Sequence, residues 1–354
     1  MKKKRNFFQL LLLLVSFSSF SQFNSVIAAK IEETNDDANI FIQHFTRPGF
    51  EGLMAATNSN WTNSAKPLKA FKVELNISAA GAFIPKNQEK FIFDESEYKH
   101  IKIESGSNEI PTLMGNETNT RLKIVYEDDL HNQIKVLDFK APDGIQANLN
   151  LPVNMVPAPN IQVSVGIPLG FEAGIRYLPK MVSEEGGYMQ LLGLGIKHSI
   201  SQYFGKKKNK DGKKVKRRFN MAIHASYQNI TAGFDDPDSD KEVIMNIKAI
   251  SGNFLASYDF KLLSLYSSVG YTQGNSGLDV LGTYEYEYKI QDSTTGTVIG
   301  SETFTLNDPI DLNFNLSEIK AKFGLKLHLL IFSLYADYSI QKYPVANVGI
   351  GIKI

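Results

Sequence analysis

The segment SEIKAKFGLKLHL, residues 317–329, constrains the fold most strongly because its side chains alternate between apolar and polar. The apolar set is Ile319, Ala321, Phe323, Leu325 and Leu327, and the residues between them include Lys320, Lys322 and Lys326. A period of two predicts a β-strand whose two faces meet different surroundings. One lysine on a lipid-facing wall costs roughly 2–4 kcal/mol near the bilayer centre, so three would cost about 6–12 kcal/mol. If the apolar face contacts lipid, the lysines must line a hydrated interior.

The same alternation recurs along the chain. The other windows are FKVELNISAAGAF (71–83), IQVSVGI (161–167), FEAGIRY (171–177), LLGLGIKHSI (191–200), NMAIHASYQ (220–228), FSLYADYSI (332–340) and VGIGIKI (348–354). Alternation alone fits a secreted two-sheet sandwich as well as a transmembrane barrel. The polar faces are rich in Gly, Ser, Asn and Lys, which suits a hydrated lumen.

Aromatic residues and turn lengths also favour the barrel. Aromatic side chains occur near strand ends, at Phe71, Tyr177, Tyr227, Tyr258, Tyr271 and Tyr338. Very tight connections at 168–170 and 259–261 alternate with long polar loops, and the last strand runs to Ile354. Bacterial outer-membrane barrels share these features. We therefore predict an all-β fold, a transmembrane antiparallel up-and-down β-barrel in the outer membrane of a Gram-negative-type bacterium.

The number of strands is less constrained than their type. Ten segments begin near residues 71, 160, 171, 188, 218, 245, 261, 317, 331 and 345. Two further hairpins are ambiguous: residues 122–139 fit part of an extracellular loop, and residues 284–306 fit extensions of neighbouring strands beyond the membrane. The prediction is a range of 10–14 strands with 12 as the best value, since bacterial barrels have even strand numbers.

The N-terminus carries the pattern of a secretory signal peptide. Four consecutive basic residues precede an apolar run from Phe7 to Val15 and then small residues. The run is shorter than the roughly 20 residues that span a bilayer. We predict a signal peptide at 1–29, cleaved after 21 or 28–29, with a short anchor as the alternative.

The segment between the signal peptide and the first strand does not alternate. In residues 30–68 we expect a short helical element that plugs the lumen or lies under the barrel on the periplasmic side, with a linker as the alternative. Asp36 or Asp37 would cap the helix, which would carry Ile40, Phe41 and Phe45 and stop at Pro48 and Gly49. The barrel itself would occupy residues 69–354.

Composition removes several classes of function. The net charge is +1, whereas nucleic-acid binding needs a clear basic excess, so no nucleic-acid partner is expected. There is no cysteine, which removes disulfides, thiol catalysis and zinc–thiolate sites. We expect no cofactor.

Two charged runs have an ordinary interpretation and a functional one. Residues 205–219, GKKKNKDGKKVKRRF, are interpreted as a solvated periplasmic turn, with anionic lipid headgroups or cell-wall polymers as alternative partners. If the strand parity differs by one, the same run faces lipopolysaccharide phosphates instead. Residues 235–242, DDPDSDKE, begin like a calcium loop, but Lys241 stands where glycine is required and Ile247 where the bidentate glutamate belongs. An acidic loop without a metal is therefore expected.

The histidines do not form a catalytic arrangement. His224 and Ser226 share one strand face, but no acid is placed to orient the imidazole ring, and no nucleophile-elbow motif occurs. His198 falls on the lipid-facing phase near a strand end. We expect no enzymatic activity.

The lumen-facing phase supplies the candidate functional residues. They are Glu172, Arg176, Lys197, His224, Lys320, Lys322, Lys326, Asp337 and Lys353. The excess of cations favours passage or binding of a small anionic or amphiphilic solute, with outer-membrane lipids around the barrel. The alternative is a structural or accessory barrel that docks an envelope protein partner.

Some segments resemble a known family. The order HFTRPGFEGLMAATNSNWTNSAKPLKAFKVELNISAAGAFIP, VPAPNIQVSVGIPLGFEAGIRYLP and GLGIKHSISQYF is similar to a family of outer-membrane β-barrel proteins known as a domain of unknown function. The resemblance covers about residues 40–354. Its overall plan is similar to that of long-chain fatty-acid transporters, which implies a helical element leading into a barrel and a fatty-acid-like solute.

Overall fold

The computed structural model describes residues 32–127, 133–146, 153–183, 186–204, 217–235, 239–291 and 298–354, so the expected signal peptide lies outside the described residues. One helix, α1 (Glu32–Thr57), precedes the strands. The strands are β1 (Val73–Phe83), β2 (Lys90–Ile92), β3 (Ile101–Ser105), β4 (Glu109–Pro111), β5 (Arg121–Glu127), β6 (Gln133–Lys140), β7 (Met155–Ile167), β8 (Phe171–Val182), β9 (Gly187–Ser199), β10 (Phe219–Asp235), β11 (Glu242–Asp259), β12 (Leu263–Leu281), β13 (Thr283–Gln291), β14 (Val298–Asn307), β15 (Ile310–Leu329), β16 (Phe332–Ile340) and β17 (Val345–Lys353).

Ten of these strands close an antiparallel barrel in the order β1-β17-β16-β15-β12-β11-β10-β9-β8-β7, with β7 pairing back to β1. The predicted number of 12 is wrong, although the ten segments identified in the sequence are the ten barrel strands. Residues 122–139 contribute β5 and β6: β5 pairs with β3, and β6 pairs with β5. Residues 284–291 belong to β13 and residues 298–306 to β14, and these two strands pair with each other. Alternating polarity predicts a half-buried strand, but it does not predict the strand with which that strand pairs.

The two ends of the barrel differ in their connections. The short-turn end carries the turns 168–170, 260–262 and 330–331, together with the start of β1 and the end of β17. The connection between β9 and β10 also lies at this end, and most of the basic run, residues 205–216, lies outside the described residues. The long-loop end carries the described residues between β1 and β7, which include β2 to β6, and it also carries β13 and β14. This asymmetry is typical of outer-membrane barrels.

The inward and outward side chains of strand β15 exchange polarity halfway along the strand. Towards the short-turn end, Ile319 and Phe323 point outward and are 73% and 58% exposed, while Lys322 and Lys326 are buried inside. Towards the long-loop end the buried residues are Ile310, Leu312, Phe314 and Leu316, and the outward ones are Asp311, Asn313, Asn315 and Ser317. Strand β12 changes in the same way between Tyr271 and Gln273. We call the lower zone of outward apolar side chains the apolar belt.

Helix α1 fills the barrel mouth at the long-loop end. Phe50 stacks on Phe314 of the inner wall with ring centroids 4.8 Å apart, and Gln43 donates to the backbone carbonyl of Asn313. The interior of this half is therefore a protein core made by one helix and the upper strands. Of the two positions considered for this element, in the lumen or under the barrel, the second does not hold, because the helix lies at the opposite end from the start of β1. No helix in the described ranges is long and apolar enough to cross a bilayer.

The helix is also longer than the sequence indicates, because it continues through Pro48 to Thr57. A proline inside a helix removes one backbone hydrogen bond and costs about 3 kcal/mol. Here the Phe45 carbonyl accepts from the backbone N–H of Leu113 at 2.7 Å, and buried side chains on both sides, such as Ile42 and Met54, hold the helix in place. Tertiary packing overrides the expected stop.

A small folded unit, which we call the cap, consists of α1 and strands β2 to β6. The prediction of Asp36 or Asp37 as helix cap is wrong, since the helix begins at Glu32. Asp37 instead accepts from the backbone N–H groups of Lys99, His100 and Ile101 at 3.0, 2.7 and 3.1 Å. A buried carboxylate that accepts several backbone N–H groups fixes the approach of the two segments.

The turn between β16 and β17 fastens α1 to the barrel rim. The ammonium of Lys342 in this turn contacts the buried carboxylate of Glu51. The pKa of the neighbouring Tyr343 hydroxyl lies above its usual range, because burial and the Glu51 charge both disfavour the phenolate. The helix is thus anchored on the wall as well as in the cap.

Candidate functional site

The chain between α1 and β1 passes lengthwise through the lumen. We call residues 58–68 the plug. Asn58 donates to Thr272 Oγ1 at 3.3 Å, the Ala65 N–H donates to Ser257 Oγ at 3.3 Å, and the Leu68 N–H donates to Glu172 Oε2 at 2.7 Å. These wall residues lie progressively closer to the short-turn end. The plug therefore enters from the long-loop end and leaves where β1 begins.

Trp61 is the bulkiest part of the plug, and two glycines of β9 make room for it. A Cβ atom at Gly193 would lie 2.8 Å from the indole ring, and one at Gly195 would lie 3.0 Å from it. The indole N–H donates to Asn58 Oδ1 at 3.3 Å. The missing side chains of the wall and the large side chain of the plug are thus complementary in shape.

Arg176 binds the plug backbone from the wall. Its side chain is 1% exposed, donates to the carbonyl oxygens of Thr57 and Ser59 at 2.9 and 2.8 Å, and lies 3.9 Å from the Trp61 ring centroid. Its other acceptors are the side-chain amides Asn160, Gln162 and Gln228. Among the described residues its hydrogen-bond partners are all neutral, which is unusual because buried charges are normally paired.

Two ion pairs of the wall also reach the plug. Lys326 lies 2.8 Å from Glu74 and donates to Asn63 of the plug at 2.9 Å. Lys197 lies 2.8 Å from Glu172 and donates to the Ser64 carbonyl at 3.3 Å. Each lysine therefore links a carboxylate of the wall to the plug.

All nine candidate residues from the sequence lie on the inner wall. Lys322 donates to the Thr62 carbonyl, and Asp337 accepts from the Tyr266 hydroxyl at 2.8 Å and from Asn347 at 2.7 Å. His224 is buried beside Trp61 with ring centroids 6.1 Å apart. Lys353 is the cross-strand neighbour of Glu74 at the short-turn end.

The outer histidine lies on the other face of the wall. His198 packs against Phe171 with ring centroids 4.0 Å apart and the rings tilted by 34°, and its Nε2 lies 2.9 Å from the Tyr203 hydroxyl. It shares no contact with His224, although both residues sit near the β9–β10 pair. The structure does not bring the strand histidines together into one site.

Sequence reasoning missed several residues that hold the plug. Glu74 and Glu318 follow the same inward phase as the lysines, so the alternation rule could have identified them. Trp61 lies in a segment without periodicity, and only the resemblance to a family drew attention to it. Asn160, Gln162 and Gln228 have no sequence signal beyond their inward phase.

Two small cavities lie beside the plug. A cavity of about 20 Å³ lies between the plug and the wall, and its lining is Asn58, Ser59, Asn60, Trp61, Thr62, Asn253, Ser268, Lys320, Lys322, Ser339 and Gln341. A second cavity of about 10 Å³ lies beside Trp61 and His224. Each volume is on the order of one water molecule. The polar lining argues against a pocket for a fatty-acid-like solute.

Metal ligands are not clustered in the described parts of the chain. No group of three or more His, Asp or Glu side chains there could hold a metal ion. Residues 236–238 of the acidic run lie outside the described residues.

Comparison with solved structures finds β-barrels of low similarity. Ail, the attachment invasion locus protein of Yersinia pestis, is 10% identical, with coverage of 80% of this chain and 99% of that chain and a TM-score of 0.23. The translocator domain of autotransporter NalP from Neisseria meningitidis is 9% identical, with coverages of 91% and 99% and a TM-score of 0.28. The toluene transporter TodX of P. putida is 7% identical, with coverages of 88% and 93% and a TM-score of 0.23. Similarity of this size carries no argument about function.

No curated protein matches the chain. A family model matches residues 1–354, and the chain belongs to the family described as "Family of unknown function (DUF6588)".

Proposed function

We propose that this chain is an outer-membrane β-barrel whose lumen is closed by its own plug and whose working surface is the cap. The observation that carries the proposal is the Arg176 guanidinium, which binds the backbone carbonyl of Thr57 at the end of α1 and that of Ser59 in the plug, inside the barrel. A plug held by its backbone is part of the fold, and each of the two cavities beside it has room for about one water molecule. The protein then serves as a structural or accessory barrel that presents a docking surface.

The apolar belt supports insertion in a membrane. On β15 it runs from Ile319 to Leu327, which corresponds to roughly 20 Å along the barrel axis at usual strand rise and tilt. Outer-membrane barrels have an apolar band about 25 Å tall. Leu169 and Leu330 in short turns are fully solvent-facing in the isolated chain, at 81% and 101% exposure. Bulky apolar turn residues of this kind fit a membrane interface better than water.

The orientation follows from the loop asymmetry. Short turns of outer-membrane barrels face the periplasm and long loops face the outside. The cap and the β13–β14 hairpin would therefore face outward, where lipopolysaccharide or an envelope protein is the partner to expect. The periplasmic side would carry the β9–β10 connection with its basic run.

Single-cysteine labelling tests this orientation directly, because the chain has no cysteine. Asn87→Cys lies in the exposed part of the cap, and Lys261→Cys lies in an exposed short turn. A membrane-impermeant maleimide should label the first variant on intact cells and the second only after lysis. The reverse pattern would overturn the orientation, and a water-soluble product would overturn the membrane location.

Conductance in planar bilayers tests the closed lumen. The wild-type barrel should show no discrete current steps, since the plug leaves no continuous path. A second candidate function is passage of small anions, which the inward cations Lys322 and Lys326 favour. Discrete conductance that Lys322→Glu and Lys326→Glu alter would support passage and contradict the closed platform.

A further inference from the structure

We propose that the lumen holds a buried site for a chloride-sized monovalent anion beside Lys320 and Lys322. The inference rests on the same plugged lumen as the proposed function. It adds a ligand class that a closed barrel does not by itself require. The site is the cavity of about 20 Å³ between these two lysines and the plug.

Strand register places the donors of this site in two adjacent rows. In the first row, Ser268 of β12 pairs with Lys322 of β15, which pairs with Ser339 of β16. Directly opposite residues in an antiparallel pair have Cβ atoms about 5 Å apart. Two hydroxyls therefore flank one ammonium on the inner wall.

The second row lies one inward position along the strands. Asn253 of β11 pairs with Gly270 of β12, which pairs with Lys320 of β15. A Cβ atom at Gly270 would lie 2.3 Å from Asn253 Oδ1, so the glycine leaves the space that the asparagine side chain occupies. The two rows together surround the cavity with ammonium, hydroxyl and amide groups.

Three of these donors have no partner in the described parts of the chain. Lys320 has neither an ion pair nor a hydrogen bond there, and the hydroxyls of Ser268 and Ser339 have no hydrogen bond there. Both serines are more than nine-tenths buried, at 6% and 3% exposure. Buried polar groups are normally satisfied, so donors that converge on one cavity indicate an acceptor between them.

The charges around the cavity also favour an anion. Arg176, Lys320 and Lys322 face this part of the lumen, and the carboxylates nearest to them are Glu318 and Asp337. Both carboxylates are engaged elsewhere: Glu318 accepts from the Lys342 N–H at 2.9 Å, and Asp337 accepts from Tyr266 and Asn347. One monovalent anion would balance the five charges.

The size of the cavity selects the anion. A space of about 20 Å³ holds roughly one water-sized particle. A halide ion fits such a space, whereas sulfate, phosphate or an organic carboxylate does not. On the plug side, Asn58 and Ser59 donate to Thr272 and Asn347. Asn60 Oδ1 is a buried acceptor without a hydrogen-bond partner in the described parts of the chain, and it belongs to a residue that lines the same cavity.

Thermal unfolding of the refolded full chain in detergent tests the site. Sodium chloride would be titrated against sodium gluconate at constant ionic strength. A specific site should raise the Tm saturably, by roughly 2–4 °C at about tenfold excess over the dissociation constant. Lys320→Met should abolish this rise. Lys248→Met, which removes a lysine from the outer wall of β11, should retain it.

Crystals grown in sodium bromide provide a readout that does not depend on a variant. An anomalous peak between Lys320, Lys322 and Ser339 would support the site. Absence of the peak together with a Tm independent of chloride would overturn it. These results are separable from those of the proposed function, since a barrel can be electrically silent with or without a bound halide.

Discussion

The lower and upper halves of the barrel wall use the same strands with opposite polarity. On β15, Phe323 faces outward in the lower half, whereas Phe314 faces inward in the upper half and stacks on Phe50. The phase of the apolar residues changes within one continuous strand, between Leu316 and Ile319. The lower half is thus arranged for lipid outside and polar groups inside, and the upper half is arranged as a water-soluble domain with α1 as its core.

This difference teaches that the barrel pattern is set locally by the surroundings of each strand segment. A strand can keep its register and hydrogen bonds while the medium on each side is exchanged. The position of the exchange marks the upper edge of the apolar belt. Aromatic side chains lie at this edge on the outer wall, at Tyr177, Tyr227, Tyr271 and Tyr338.

The largest effect is expected from removing an inward aromatic ring of the upper half. Phe314→Ala should lower the free energy of unfolding by about 3–5 kcal/mol, because it leaves a cavity against Phe50. Phe323→Ala removes the same ring from the lower half, where lipid chains can fill the space, and should cost much less. Urea unfolding of both variants in lipid vesicles makes the comparison. Equal losses would contradict a packed core in the upper half.

An outward-facing charge should destabilise the lower half of the barrel wall more than the upper half, which is the reverse of the order expected for the phenylalanine truncations. Phe323→Lys should cost about 2–4 kcal/mol, because the ammonium would lie near the middle of the apolar belt. Asn313→Lys on the same strand is exposed to water in the upper half, and its effect should stay within about 0.5 kcal/mol. The same unfolding measurement applies. A tolerated lysine at position 323 would remove the membrane interpretation.

A smaller effect is expected from weakening the contact that joins the plug to the wall. Arg176→Gln should cost about 1–3 kcal/mol, because the Thr57 and Ser59 carbonyls would lose their buried donor. It should also produce intermittent current steps in planar bilayers. Arg121→Gln, which breaks a partly exposed pair with Asp138 in the cap, should cost about 0–1 kcal/mol and leave the barrel silent. Silence of both variants would show that other contacts suffice to hold the plug.

The sequence predicts the barrel well because inside and outside differ at every second residue. The sequence alone places three lysines of β15 on the inner wall, Lys320, Lys322 and Lys326, because a shift of the strand register by one residue would put their ammonium groups in lipid. The same rule would have found Glu74. It could not count the strands, because β13 and β14 alternate like barrel strands and yet pair only with each other.

The sequence offers a plug as one alternative for residues 30–68, but it cannot give the path or the contacts of the plug, for a different physical reason. Residues 58–68 have no period, and their partners are distant in sequence, as the contact between Ser59 and Arg176 shows. Pro48 misled the prediction because local propensity indicates a helix end, whereas packing of Ile42 and Met54 on either side favours continuation. Long-range contacts decided both cases.

The course of the plug also bears on the order of assembly. The plug runs through a barrel that is closed by strands formed later in the chain, and α1 lies folded at the long-loop end of that barrel. Once it is packed against strands β2 to β6, this helix cannot be pulled through the finished barrel. Two orders of assembly remain. Strands β1 and β17 pair last, around a plug that is already in place, or residues 32–57 cross the lumen before they form the helix. Biogenesis therefore delays either barrel closure or helix formation.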